Sequence, residues 1–277
     1  MIDLHTHSTV SDGSDSPARV VEIAAGLGVT ALALTDHDSL AGLPSAAEAA
    51  NRCGIELIPG TELSVNWESG AMHLVVLFLR SEPGPLQDRL AEIREGRTAR
   101  NFVILERLAA LGLPISIEEV QKLGKGESIG RPHIAAVMIQ HGYVKSIAEA
   151  FDLYLASGRP AYAPRWRLDP EEAITLAISS GAVPILAHPH TLAIDSSERV
   201  AQTLTFLKEA GLVGMECYYP FYSPFEREGY AALAGRFGLL PSGGSDYHGT
   251  FKPGIELGRG RGDLAVPAHL LDALRPR

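Results

Sequence analysis

Asp3-Leu4-His5-Thr6-His7-Ser8, followed at once by Ser11-Asp12-Gly13, stands directly behind the apolar residue Ile2 at the start of the chain. In an extended strand, side chains two positions apart point to the same side, so His5 and His7 can converge on one ion. A His-x-His pair alone reads equally well as two surface histidines on a loop. Its meaning depends on what the other strands carry at their ends.

Strands are predicted at Ile2–His5, Ala31–Thr35, Glu56–Thr61, Met72–Leu79, Val183–Ala187, Gly214–Tyr218 and Leu239–Gly243. Helices are predicted between them at Pro17–Leu27, Leu40–Arg52, Pro170–Ser180, Ser197–Ala210 and Pro224–Phe237. Ser16 before Pro17 and Asp169 before Pro170 read as N-caps followed by proline at the first helical position. Gly54, Gly181, Gly211 and Gly238 stand where left-handed C-caps are expected. Such alternation implies an α/β fold with a largely parallel sheet or barrel.

The second strand ends in Thr35-Asp36-His37-Asp38, the third in Gly60-Thr61-Glu62, the fifth in His188-Pro189-His190, and the seventh in Ser245-Asp246-Tyr247-His248. Functional groups of α/β barrels collect at the C-terminal ends of strands. Each of these residues singly reads as a cap or a satisfied core group, but five strand ends of one chemical character are not a coincidence. His73 opens its strand instead of closing one. Residues 64 to 71 are too few for a helical crossover, so an antiparallel return would bring His73 to the rim of Glu62. Strict pairing about Ser69 would put those two on opposite faces, and a bulge or strand break is expected if both bind metal.

The alternation fails between Leu79 and Pro170, where helices are predicted at Leu86–Leu111, Ile117–Leu123, Arg131–His141 and Ser146–Ala156. The expected organisation is a barrel over residues 1–98 and 167–277 with a helical cap subdomain inserted at 99–166. The 277 residues carry 24 Lys+Arg against 33 Asp+Glu, a net charge of −9. That acidity excludes a protein coating long duplex nucleic acid through a general positive field. Half of the basic residues lie within 81–170, however, and a locally bound phosphate remains compatible. Cys53 and Cys217 are too few for a disulfide framework or a thiolate zinc site. Asp3, His5 and His7 interrupt any signal peptide, and Leu74–Leu79 is far too short for a membrane span. A cytoplasmic protein without membrane contact is expected; the oligomeric state is left open.

Histidine nitrogens and carboxylates without thiolates suit Zn, Mn or Fe, and six histidines with Asp12, Glu62 and Asp246 are too many for one ion. A carboxylate such as Glu62 can bridge two ions, which points to a multinuclear hydrolytic centre. Together DLHTHS, SDG, TDHDS, GTELS, His73, AHPH and GGSDYH resemble the PHP (polymerase and histidinol phosphatase) family of amidohydrolase-like metal hydrolases. The resemblance implies a distorted seven-stranded (β/α) barrel with two to three divalent ions, manganese first and zinc or iron as alternatives. It implies one ion at His5, His7, Glu62 and Asp246, a second sharing Glu62 with His73 and His188, and a third at Asp12, His37 and His248. Other members use a histidine near the position of Asp12.

Ser128-Ile129-Gly130-Arg131-Pro132-His133-Ile134-Ala135 and Ser157-Gly158-Arg159-Pro160-Ala161-Tyr162 resemble the subgroup that removes the 3′-phosphate of nucleoside 3′,5′-bisphosphates, relatives of which trim short RNA from its 5′ end. Gly-Arg-Pro by itself is also a common helix start. Arg131 at a helix N-terminus would clamp a phosphate, with His133 selecting beside it. Arg159 would hold a second phosphate, and Tyr162 or Trp166 would stack on a base. The expected chemistry is in-line attack by metal-activated hydroxide at the Glu62 centre, with His190 or Asp36 protonating the leaving ribose oxygen. The expected partner is a small phosphorylated nucleotide or short oligonucleotide. Histidinol-phosphate phosphatase and a metal-stabilised regulatory module are the alternatives.

Overall fold

The computed structural model describes residues 1–80, 82–123, 129–164 and 166–276; Ser128 of the first Gly-Arg-Pro segment lies outside them. Seven strands form one sheet in chain order: β1 (Ile2–Asp3), β2 (Ala31–Leu34), β3 (Glu56–Val65), β4 (Met72–Leu77), β5 (Val183–Leu186), β6 (Gly214–Tyr218) and β7 (Leu240–Gly243). Pairs β1–β2–β3 and β5–β6–β7 are parallel, and β4 runs antiparallel to both its neighbours. Beyond β7 the ring closes on β1: the Leu4 N–H reaches the Gly243 carbonyl, Asp246 N–H that of His5, and His7 N–H that of Tyr247. The chain is therefore an α/β protein with a nearly closed, distorted seven-stranded barrel: the strand pattern predicted the α/β class, and the family resemblance implied the distorted barrel.

Burial on both faces explains the apolar strands. In β2, Ala31 and Ala33 join the barrel interior with Ile2, Val75 and Ile185, while Leu32 and Leu34 meet the outer helices. In β4, Val75 and Leu77 point inward, and Leu74 and Val76 outward. The outer layer comprises α1 (Pro17–Gly26), α2 (Leu43–Cys53), then, after the insertion, α7 (Pro170–Ser179), α8 (Ser197–Glu209), α9 (Pro224–Arg236) and the short α10 (His269–Leu274). Ser16 caps α1 through the Arg19 N–H. Asp169 does not repeat that role: its backbone occupies the cap position of α7, but its carboxylate instead accepts from Asn66 Nδ2 at 2.9 Å.

Between β4 and α7 run α3 (Pro85–Ala110), α4 (Ile117–Leu123), α5 (Arg131–Gln140) and α6 (Ile147–Ala150), the last continuing into a π turn at Phe151–Leu155. Helix α3 belongs to two cores. Leu86, Leu90 and Ile93 pack on the barrel, whereas Ile104, Leu105 and Leu108 join Ile134 and Met138 of α5 in a separate cluster. Arg97 and Arg100 fall between the two, buried. Among the described residues no helix is long and apolar enough to cross a membrane.

The β3–β4 hairpin corrects one expectation. Glu62 pairs with Val75 and Ser64 with His73, a register centred between Glu68 and Ser69 and not on Ser69. His73 therefore shares a face with Ser64 and hence with Glu62, two residues along the strand. No bulge or break intervenes.

Candidate metal centre

Six of the seven strands deliver parts of a compact cluster. His5 and His7 follow β1, His37 follows β2, Glu62 lies within β3, His73 begins β4, His188 follows β5, and Asp246 and His248 follow β7. Glu62 is the hub. One of its oxygens lies 2.8 Å from His73 Nδ1 and 3.0 Å from His188 Nε2; the other lies 3.3 Å from His5 Nε2, 3.2 Å from His7 Nε2 and 3.3 Å from His37 Nδ1. Asp246 Oδ1 stands 3.4 Å from both His7 Nε2 and His248 Nδ1. Asp12 approaches His248 Nε2 at 3.3 Å and His37 Nε2 at 3.6 Å. Among the described residues, three groups converge closely enough to share an ion: His7, Asp12, His37 and His248; His5, Glu62 and His188; and His5, His7 and Asp246.

The donor set fits cations. Donors about 2.1 Å from a common ion stand roughly 3.0–3.5 Å apart, the range of most of these separations. Outer partners also aim bare nitrogens inward. His5 Nδ1 is held by Glu216 Oε1 at 2.9 Å, His188 Nδ1 by Thr191 Oγ1 at 3.1 Å, and His248 Nδ1 by the Asp246 carbonyl at 2.9 Å. Nitrogen lone pairs then face carboxylate lone pairs, an arrangement that needs a proton or a metal ion between them. Asp12 Oδ1 and His37 Nδ1 are buried without a hydrogen-bond partner.

Electrostatics tell the same story. Burial disfavours charge on His7, yet contacts with Asp246 and Glu62 outweigh it and lift its pKa to about 9. Burial dominates at His37 and drives it down to about 3. Despite burial, the surrounding imidazoles hold Asp12 and Glu62 well below the usual carboxylate range, and Lys252 above all does so for Asp246. The backbone itself is unusual here: His188 and Asp246 have φ of 25° and 50°. The His188 N–H donates to Glu216 Oε2 at 2.6 Å, which pins that strained residue in place.

Beside the cluster lies a cavity of about 480 Å³. Asp12, His37 and His73 are among its lining residues. Arg97, Arg100, Arg131, Arg167 and Tyr162 line it too, together with Glu68 of the β3–β4 turn. Arg97 donates from Nε to Asp38 Oδ2 at 3.2 Å and from Nη2 to the same oxygen. Arg131 donates to the Leu155 carbonyl and lies over the Phe151 and Tyr162 rings.

Known proteins place this arrangement. The PHP domain pattern matches residues 3–92. The 5′-3′ exoribonuclease Rnm of Escherichia coli is 36% identical over 259 residues, covering 93% of this chain and 88% of that one. A 3′,5′-nucleoside bisphosphate phosphatase of Chromobacterium violaceum is 34% identical over 259 residues, covering 93% and 90%. The chain belongs to the PHP family. A Bifidobacterium adolescentis structure described as a metal-dependent phosphoesterase superposes with a TM-score of 0.87 at 29% identity, covering 98% of this chain and 94% of its own. The present PHP protein is a phosphoester hydrolase with side-chain clusters that could bind divalent metal.

Within this family member, all nine expected ligands gather at one rim. Arg131 and Tyr162 line the adjoining cavity, but three other expectations need correction. Asp36 does not reach the cluster: its carboxylate accepts from Ser8 N–H at 2.7 Å, Ser8 Oγ at 2.6 Å and Ser11 Oγ at 2.6 Å, and so braces the loop after β1. Arg159 is exposed and outside the cavity lining, in the turn that follows Gly158 at φ 78°. Trp166 is likewise exposed, beneath Arg89 at 5.0 Å. His133 is buried; its Nδ1 caps α5 by accepting the Gly130 N–H at 3.2 Å, while Nε2 has no partner. His190 stands at the rim, its ring 6.2 Å from that of His188 and its Nδ1 2.8 Å from the Tyr222 hydroxyl.

Sequence reasoning missed Glu216, Lys252, Arg97, Arg100 and Arg167. Glu216 sits among apolar residues of β6, and a carboxylate inside a buried strand was the signal available. The arginines lie on a long helix and a loop, where a basic residue ordinarily marks a solvated face.

Proposed function

We propose that this protein removes the 3′-phosphate of nucleoside 3′,5′-bisphosphates, such as adenosine 3′,5′-bisphosphate. The observation that carries the reading is one cavity lined both by metal-type ligands, Asp12, His37 and His73, and by four arginines. A monophosphate needs only the metal-type ligands. Arg97 is paired with Asp38, and the remaining guanidiniums suit a second phosphate on the same molecule and would repel the ammonium of histidinol phosphate. The relatedness to a bisphosphate phosphatase supports the same substrate class.

His5, His7, Glu62 and Asp246 would hold one divalent ion, Glu62 with His73 and His188 a second, and Asp12, His37 and His248 a third, with manganese the ion to test first. Such ions lower the pKa of coordinated water and neutralise charge on phosphoryl oxygens. Hydrolysis breaks the bond between phosphorus and the ribose 3′ oxygen; water supplies a hydroxyl to phosphorus and a proton to that oxygen. His190 is the candidate to carry this proton at Nε2, since Tyr222 engages Nδ1. Arg131 and Arg167 would orient the 5′-phosphate, and residues 99–166 would act as a cap over the barrel of 1–98 and 167–277.

Trimming of short 5′-phosphorylated RNA is a second reading, favoured by the relatedness to Rnm. It uses the same bond: the 3′ phosphorus then also carries the rest of the strand. The test is phosphate release from adenosine 3′,5′-bisphosphate with Mn²⁺, side by side with histidinol phosphate and a 5′-phosphorylated RNA trimer. Preference for the bisphosphate, abolished by chelator, is expected. Preference for histidinol phosphate would overturn the reading.

A further inference from the structure

We propose that the loop after β6 and the turn at Gly258–Gly262 form a stacking platform for the second nucleotide of a single-stranded oligonucleotide. This inference rests on the phosphoesterase reading above and extends it to the side of the substrate beyond the scissile phosphorus. Phe221 is 43% exposed although large and apolar. The Arg261 guanidinium lies 4.3 Å from its ring centroid, and Lys252 Nζ lies 5.4 Å from it. Inward from Phe221 comes Tyr219, with ring centroids 5.8 Å apart. The Tyr219 hydroxyl donates to Asp246 Oδ2 at 2.7 Å, and its ring lies 5.6 Å from that of His188. A path of aromatic rings flanked by cations thus runs from the metal-type ligands to solvent.

The turn that carries Arg261 is built, not frayed. Gly258, Gly260 and Gly262 take φ of 73°, 56° and 105°, conformations suited to glycine. A Cβ on Gly260 would meet Pro220 at 3.1 Å, so the turn is packed against the residue preceding Phe221. The Gly258 N–H is anchored on buried Asp3 Oδ2 at 2.7 Å. Among the described residues no carboxylate pairs with Arg261; neighbouring Asp263 is engaged by Arg227 at 3.1 Å. An exposed ring beneath a guanidinium that lacks a carboxylate suits a base joined to a phosphate. A purely apolar protein partner would bury that guanidinium without an anion.

Geometry selects the second nucleotide. With the first nucleotide's 5′-phosphate among the arginines, the cavity meets the cluster at Asp12, His37 and His73. The rest of an oligonucleotide hangs on the scissile phosphorus and must leave along another edge. The platform meets the cluster along such an edge, at Asp246 and His188.

The experiment compares the Mn²⁺-loaded wild type with Phe221→Ala, Phe221→Tyr and Arg261→Ala on adenosine 3′,5′-bisphosphate and on a 5′-phosphorylated RNA trimer. Calorimetric titration with the same trimer and thermal melts accompany the kinetics. The expected result is a roughly tenfold higher KM for the trimer in Phe221→Ala and Arg261→Ala, as loss of a base–aromatic stack predicts. Phe221→Tyr should restore it, and KM for the bisphosphate should stay within about twofold in all variants, as no second base is present to stack. Equal changes on both substrates, or no change on the trimer, would overturn the proposal. So would a wild type that hydrolyses the bisphosphate but neither cleaves nor binds the trimer. If neither substrate is hydrolysed, the functional reading fails, and the titration alone decides the platform: weaker trimer binding by Phe221→Ala supports it, and unchanged or absent binding overturns it. A dimer seen by sedimentation and lost in Phe221→Ala, with trimer KM unchanged, would assign the surface to a second copy of the chain and overturn the proposal.

Discussion

Glu216 on β6 accepts the Nδ1 proton of His5 at 2.9 Å, and the two residues are fully buried together. That bond selects the tautomer in which His5 Nε2 faces Glu62 and Asp246. Replacing Glu216 with Gln removes the anion that orients the ring and raises its basicity. Metal affinity should fall about 10- to 100-fold, read by chelator-competition titration.

Arg131 lines the cavity but touches no metal-type ligand. Arg131→Ala should raise KM for adenosine 3′,5′-bisphosphate by roughly 10- to 100-fold, the worth of a charge-assisted contact. Hydrolysis of p-nitrophenyl phosphate, which has one phosphate, should change little. A substrate-specific loss in steady-state kinetics distinguishes phosphate binding from general damage to the fold.

Asp36 holds the loop that carries His7 and Asp12. Asp36→Ala leaves Ser8 and Ser11 donors buried without their acceptor and should destabilise the fold by about 2–4 kcal/mol. Thermal unfolding of the metal-free protein measures this. The acid and base limbs of the kcat–pH profile should stay in place, because the carboxylate is turned away from the reacting centre.

Gly244 lies at the seam between β7 and β1. A Cβ there would stand 2.5 Å from the His5 backbone nitrogen and 2.6 Å from its Cβ. Gly244→Ala must therefore push the seam apart, and reduced metal content together with a lower Tm is expected. Elemental analysis and a melt check both halves.

Burial pushes the Cys217 thiol up to about 12, whereas Cys53 is half-buried. A thiol reagent at pH 8 should titrate Cys53 in the native protein and Cys217 only after unfolding. The pH effect on stability has a definite sign. Below about pH 8.5 both folded and unfolded thiols are protonated; above it the unfolded thiol loses its proton first, so stability falls as pH rises toward 12. Cys217→Ala should flatten that decline in denaturant titrations.

Local chemistry made much of this protein legible in one dimension. Short apolar runs, proline after a capping serine, and glycine after most of the outer helices depend on neighbours along the chain, and they predicted seven strands in order. Ligand-type residues at strand ends were legible for the same reason, since a parallel barrel sends every such end to one rim. What the sequence could not determine is which long-range partner each side chain meets. Tertiary structure decided that β3 and β4 pair in the register that turns His73 toward Glu62, a shift of a single residue. It decided that Asp36 serves Ser8 and Ser11, that Arg159 faces solvent, and that Glu216 orients His5. It also drew Arg97, Arg100, Arg131 and Arg167 into one cavity, because α3 spans two cores and α5 and the residues before α7 line the same space as the β3–β4 hairpin. Apolar runs and caps are short-range properties, whereas a cavity assembled from residues 12 to 167 exists only once the whole chain has packed.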